Sequence, residues 1–80
     1  MRVVIKVYGV MRYLPESEVV AKAEYEVEGW KVIHGGSEAK AIEADMNDIE
    51  ADPHHEYLVL ELSDGTTSTF RNSYVDMFIK

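Results

Sequence analysis

Apolar and charged residues alternate without a break from Ala21 to Glu28, with Ala21, Ala23, Tyr25 and Val27 set against Lys22, Glu24, Glu26 and Glu28. A β-strand turns successive side chains to opposite faces, so this pattern specifies an extended segment with one face on a core and the other in water. A helix would scatter both sets around its circumference. Gly29 interrupts the alternation, and Trp30-Lys31-Val32-Ile33 resumes extended character. The residues allow either a bulged continuation of the same strand or a separate short one.

The remaining elements follow from the same kind of pattern. Arg2 to Tyr8 is β-branched and short, with Val3, Ile5 and Val7 on one face, and so reads as a strand. Gly9 marks a bulge or turn, Val10 to Leu14 is apolar enough to continue a bent strand, and Pro15-Glu16-Ser17-Glu18 reads as a loop. His34-Gly35-Gly36 makes a turn before Ser37, an N-cap for a helix that carries Ala39, Ile42, Met46 and Ile49 in one arc. Pro53 ends that helix, because the residue before a proline avoids helical geometry. Glu56 to Leu62 is a strand with Leu58, Leu60 and Leu62 on one face, and Asp64-Gly65 is a tight hairpin turn. Thr66 to Arg71 returns, Asn72-Ser73 turns again, and Tyr74 to Ile79 is the last strand. The expected fold is a single α+β domain over residues 1–80. Its sheet is mainly antiparallel, of four to six strands, with one helix at about 37–51 packed on one face, in the order β-β(-β)-α-β-β-β.

At 80 residues the chain supports only a thin core, since a domain this small buries about 60% of the surface its unfolded form exposes. Cysteine is absent, which removes disulfides and cysteine-based zinc sites. No apolar run reaches the roughly 20 residues of a helical membrane span, and a cytoplasmic location is the expectation. The formal charge of −7 is unevenly spread. Residues 1–15 carry Arg2, Lys6 and Arg12 and no acid, whereas residues 16–64 hold fourteen of the fifteen acids against Lys22, Lys31 and Lys40. A chain of that sign repels nucleic acid and anionic membrane at long range, and it lacks a basic stripe with interleaved aromatics. Direct nucleic-acid binding and membrane binding are therefore not expected. Excess Asp and Glu also serve plain solubility.

The candidate chemistry is sparse. His54-His55 with Asp52 and Glu56 has the donor atoms for a metal, but adjacent residues of an extended chain point in opposite directions, and no histidine pair at helical spacing is present. Gly35-Gly36-Ser37 at a helix start lacks the Lys and hydroxyl of a phosphate loop, and Glu38 and Glu43 repel an anion there. Alternating exposed glutamates provide no pocket that would separate two carboxyl pKa values, and no nucleophile elbow is present. No catalytic residue, metal site or cofactor is expected.

What remains is a non-enzymatic protein-binding module that occupies a basic surface of a partner protein. Its candidate partner-binding residues are Glu24, Glu26 and Glu28 on the second strand, Glu38, Asp45, Asp48 and Asp52 in the helical stretch, and Tyr57 as an interface aromatic. Asp48 and Glu50 oppose the dipole at a helix C-terminus, which leaves them to be explained by something other than local stability. By composition alone the chain resembles the small acidic inhibitors and nucleic-acid mimics encoded by phages and mobile elements. Two alternatives stand beside this reading. One is a small-molecule or metal-binding accessory domain using His34, His54 or His55, and the other is a structural subunit of a homodimer formed through the edge strand at Tyr74 to Ile79.

Overall fold

The computed structural model describes residues 1–34 and 55–80. Five strands form: β1 (Arg2–Tyr8), β2 (Val19–His34), β3 (Glu56–Leu62), β4 (Thr67–Arg71) and β5 (Val75–Ile79), with a 3-10 turn at Asn72–Tyr74 between the last two. All pairings are antiparallel, in the order β4-β3-β2-β1-β5.

The 16-residue β2 belongs to two ladders at once. Its first half pairs with β1, from Tyr8↔Val19 to Arg2↔Glu26, and β1 pairs on its other side with β5. Its second half pairs with β3, from Val27↔Leu62 to His34↔Glu56, and β3 pairs with β4. The register shifts between Val27 and Gly29, so that Glu28 is an extra residue. A bulge of this kind bends the strand and moves the following side chains to the other parity. Tyr25 and Val27 face the core before it. After it, Trp30 and Val32 stand opposite the buried Leu60 and Leu58.

That bend folds one ladder over the other. Val3, Ile5 and Val75 from the first ladder and Leu58 and Leu60 from the second form a single buried cluster with Val27 at the junction. Val7, Tyr25, Leu62, Phe70 and Met77 pack at its margin. The rings of Tyr25 and Phe70 meet edge to face at 5.9 Å, which ties the far sides of the two ladders together. The β3–β4 hairpin turns at Gly65, whose φ of 87° is the positive angle a tight turn needs. Asp64 accepts from the backbone and hydroxyl of Thr66 at 3.0 and 2.6 Å and fixes that turn.

The α+β expectation is corrected by this arrangement. Among the described residues the only helical element is the 3-10 turn, and the architecture is an all-antiparallel five-stranded sheet. The helix expected over 37–51 lies outside the described residues. The physical reason for the difference is that, among the described residues, the second layer of this core is made by sheet: the bulge in β2 lets the Leu58–Leu60 face of β3 cover the apolar face of β1 and β5. Val10 to Leu14 is also not a strand. It turns, with Leu14 N–H donating to Met11 at 3.1 Å and Ser17 N–H to Leu14 at 3.0 Å.

The core assignment has a direct test. Leu60→Ala removes a fully buried side chain and should cost on the order of 2–5 kcal/mol. Val32→Ala, at a half-exposed position on the neighbouring strand, should cost less than about 1 kcal/mol. Thermal or denaturant unfolding of the two variants should separate them clearly, and equal losses would contradict the placement of β3 at the centre.

Candidate functional site

The glutamate row on β2 is occupied by the protein's own cations. Registers Arg2↔Glu26 and Val4↔Glu24 bring the outer face of β1 beside it, and β5 continues that face. Lys80 Nζ lies 2.5 Å from Glu24 Oε1, with Arg2 Nη1 3.8 Å from Oε2. Glu26 binds the Met1 α-amino group at 3.2 Å and Arg2 Nε at 3.3 Å. The Lys80 hydrogen bond and charge hold the Glu24 carboxyl below its ordinary range, and the α-amino group does the same for Glu26. These pairs are exposed and each is worth little, but they place positive groups of the same chain beside Glu24 and Glu26. Glu28, the extra residue of the bulge, is exposed.

Tyr57 cannot be a surface contact. It is fully buried, as is Val59 two residues on, so β3 is enclosed on both faces and not only on the Leu58–Leu60 side. Glu38, Asp45, Asp48 and Asp52 lie outside the described residues, as does His54. Among the described residues, no three His, Asp or Glu side chains are grouped to hold a metal ion, and no helix is long and apolar enough to cross a membrane.

Two hollows lie where the second ladder meets the turn before β5. A groove of about 180 Å³ runs between β2 and β5, floored by Trp30, Val32, Leu58 and Met77. Trp30 is 38% and Val32 51% exposed, although both stand on the core side of their strand. Cross-strand partners of theirs, Leu60 and Leu58, are buried, so the groove is the open end of the core. A wider hollow of about 420 Å³ lies beside it, lined by Met11, Arg12, Tyr13, His55, Glu56 and Asn72 among others.

Arg12 forms the wall between the two. Its backbone N–H donates to Ser73 O at 2.8 Å. The guanidinium donates to Asn72 O and to Val75 O and pairs with Asp76 at 3.4 Å. Asp76 also accepts from the Tyr8 hydroxyl at 2.6 Å. That hydrogen bond, with burial adding to it, raises the Tyr8 pKa above its ordinary 10.0. Sequence reasoning missed Arg12 as the residue that pins the β1–β2 loop onto the 3-10 turn. A lone Arg in a non-repeating stretch carries no periodic signal. Trp30 is legible as part of an extended segment, but its exposure depends on how the two ladders close.

The chain matches no protein-family model, no curated protein and no solved structure.

The charge network predicts two limbs in the pH dependence of stability. Glu24 and Glu26 have lowered folded pKa values, so their contribution is present above the ordinary 4.5 and is lost as pH falls through the lower folded values. Tyr8 has a raised one, so its contribution is present below 10.0 and is lost as pH rises past it. Melting temperature measured against pH should therefore lose part of its acid limb in Glu24→Gln/Glu26→Gln and part of its alkaline limb in Tyr8→Phe. Unchanged limbs in both variants would show that these contacts are not held in solution.

Proposed function

We propose that this protein is a non-enzymatic protein-binding module whose partner presents a basic surface with an apolar side chain. The observation that carries the reading is the open groove of Trp30, Val32 and Met77, in a chain whose net charge is concentrated in the sequence that follows β2. Residues 35–54 contain six of the fifteen acids and only Lys40 among the cations, a net −5, whereas the described residues together carry −2. Val32 precedes that stretch by two residues of β2, and His55, which follows it, lines the wider hollow. Trp, Met and Arg are the side chains enriched at interface centres, and a tryptophan in a partly desolvated groove is a typical anchor. Acids on the same chain raise the encounter rate with a basic partner, and the anchor sets how long the complex lasts.

The division of labour moves the charge away from β2. Glu24 and Glu26 are engaged internally, so Asp45, Asp48 and Asp52 are the acids assigned to the partner.

Capture of a partner from cell lysate, followed by kinetics on the purified pair, tests this. Asp45→Asn/Asp48→Asn/Asp52→Asn and Glu24→Gln/Glu26→Gln/Glu28→Gln change net charge equally. The first set should slow association several-fold at low salt, with the difference shrinking as screening shortens the reach of charge to about 8–10 Å. The second set should do less, and Glu16→Gln/Glu18→Gln least. Trp30→Ala should speed dissociation by roughly 30-fold, the equivalent of about 2 kcal/mol, with little change in salt dependence. Equal effects from the charge sets, or none from Trp30→Ala, would contradict the proposal.

A further inference from the structure

We propose that a second copy of this chain pairs along the free edge of β5, antiparallel, with the two-fold axis passing through Phe78. This inference is independent of the partner-binding reading above.

Three observations lead to it. First, among the described residues β5 is an outer strand of the sheet, paired only with β1. Lys80 N–H donates to Arg2 O at 3.0 Å, so residues 76, 78 and 80 turn their backbone groups toward β1, and residues 75, 77 and 79 turn theirs to the free edge. Of these, Val75 is already used, because its carbonyl accepts from Arg12. The backbone N–H and C=O of Met77 and Ile79 are what the edge offers.

Second, Phe78 is 47% and Ile79 61% exposed, at an edge that carries no proline and no bulge. Exposed apolar side chains at an unpaired edge attract another strand. The other edges are less inviting. β4 reads Thr-Ser-Thr-Phe-Arg, with Phe70 turned into the core margin, and the first half of β2 carries Lys22, Glu24 and Glu26.

Third, the edge is complementary to itself in one register. An antiparallel two-fold must pair residues with like backbone direction, so its axis passes through a residue of the strand. Placed at Phe78, it sets Met77 against Ile79 of the second copy, with each pair exchanging both backbone hydrogen bonds. On the outer face it sets Asp76 against Lys80 of the second copy, twice over. Asp76 and Lys80 keep capacity for this: a carboxylate has about four acceptor sites and an ammonium three donors, while Asp76 takes Tyr8 and Arg12, and Lys80 binds Glu24. Placed at Met77 instead, the axis would demand the Val75 carbonyl that Arg12 holds, and would set Asp76 against a phenylalanine ring. The edge contact is smaller than a standard interface of about 1,200–2,000 Å², so the dimer is concentration-dependent.

The absence of cysteine makes the register directly readable. In the proposed pairing, Phe78 faces its own copy in a non-hydrogen-bonded pair, with Cα atoms about 4.5 Å apart, within disulfide range. Oxidised Phe78→Cys should form a reducible dimer in high yield, whereas Met77→Cys should not, since its own copy is displaced beyond the roughly 7 Å a disulfide spans. Sedimentation equilibrium of the unmodified chain should show reversible dimerisation. Ile79→Pro removes an edge N–H that β1 does not use, and should leave the melting temperature nearly unchanged while holding the chain monomeric. Preferential cross-linking of Met77→Cys, cross-linking of neither, or a monomer at every concentration would overturn the proposal.

Discussion

The extra residue at Glu28 is the constraint on which the rest of the structure depends. Without it, β2 would run straight, keep its odd-numbered side chains on the core side, and present Gly29 and Lys31 to Leu60 and Leu58 in place of Trp30 and Val32. With it, one strand serves two ladders, and the ladders close on each other. An 80-residue chain has little apolar surface to spare. Folding a sheet over itself buries Val3, Ile5, Leu58, Leu60 and Val75 in one cluster, at roughly 1.5–3 kcal/mol for each fully buried side chain.

Closure by bending leaves two consequences that bear on function. The ladders meet fully near Val27 and less fully toward the far end of β2, where Trp30 and Val32 stay open to solvent. The first and last strands do not meet, so β4 and β5 each keep a free edge. Arg12 holds the open end in shape by gathering the carbonyls of Asn72, Ser73 and Val75 and the carboxylate of Asp76 onto the β1–β2 loop. Groove and edge thus come from the same economy of core.

Much of this was legible in the residues. The alternation at Ala21 to Val27, the β-branched opening, the Asp64-Gly65 turn and the Leu58-Leu60 stripe each mark the element that forms. The parity change from Val27 to Trp30 is the written form of the bulge, although the residues alone leave a second strand equally open. What they do not show is which surface covers the sheet. An apolar stripe at helical spacing in 39–49 and an apolar strand face both fit, and only the three-dimensional path of β2 shows that strand packs on strand. A row of glutamates looks like an acidic patch until Arg2, Lys80 and the α-amino group are placed beside it, and those cations come from both ends of the chain. Tyr57 alternates like a surface residue, yet it is buried, because β3 is an interior strand enclosed on both faces.

The most direct test of the account is the set of cross-strand contacts made by β2, observed by nuclear Overhauser effects in isotopically labelled protein. The account predicts contacts of Tyr25 with Val3 and Ala23 with Ile5 on one side of the bulge, and of Trp30 with Leu60 and Val32 with Leu58 on the other, in the same molecule. Contacts of Lys31 with Leu58 in place of Val32, or a break in extended structure at Glu28–Gly29, would contradict a single bulged strand shared by both ladders.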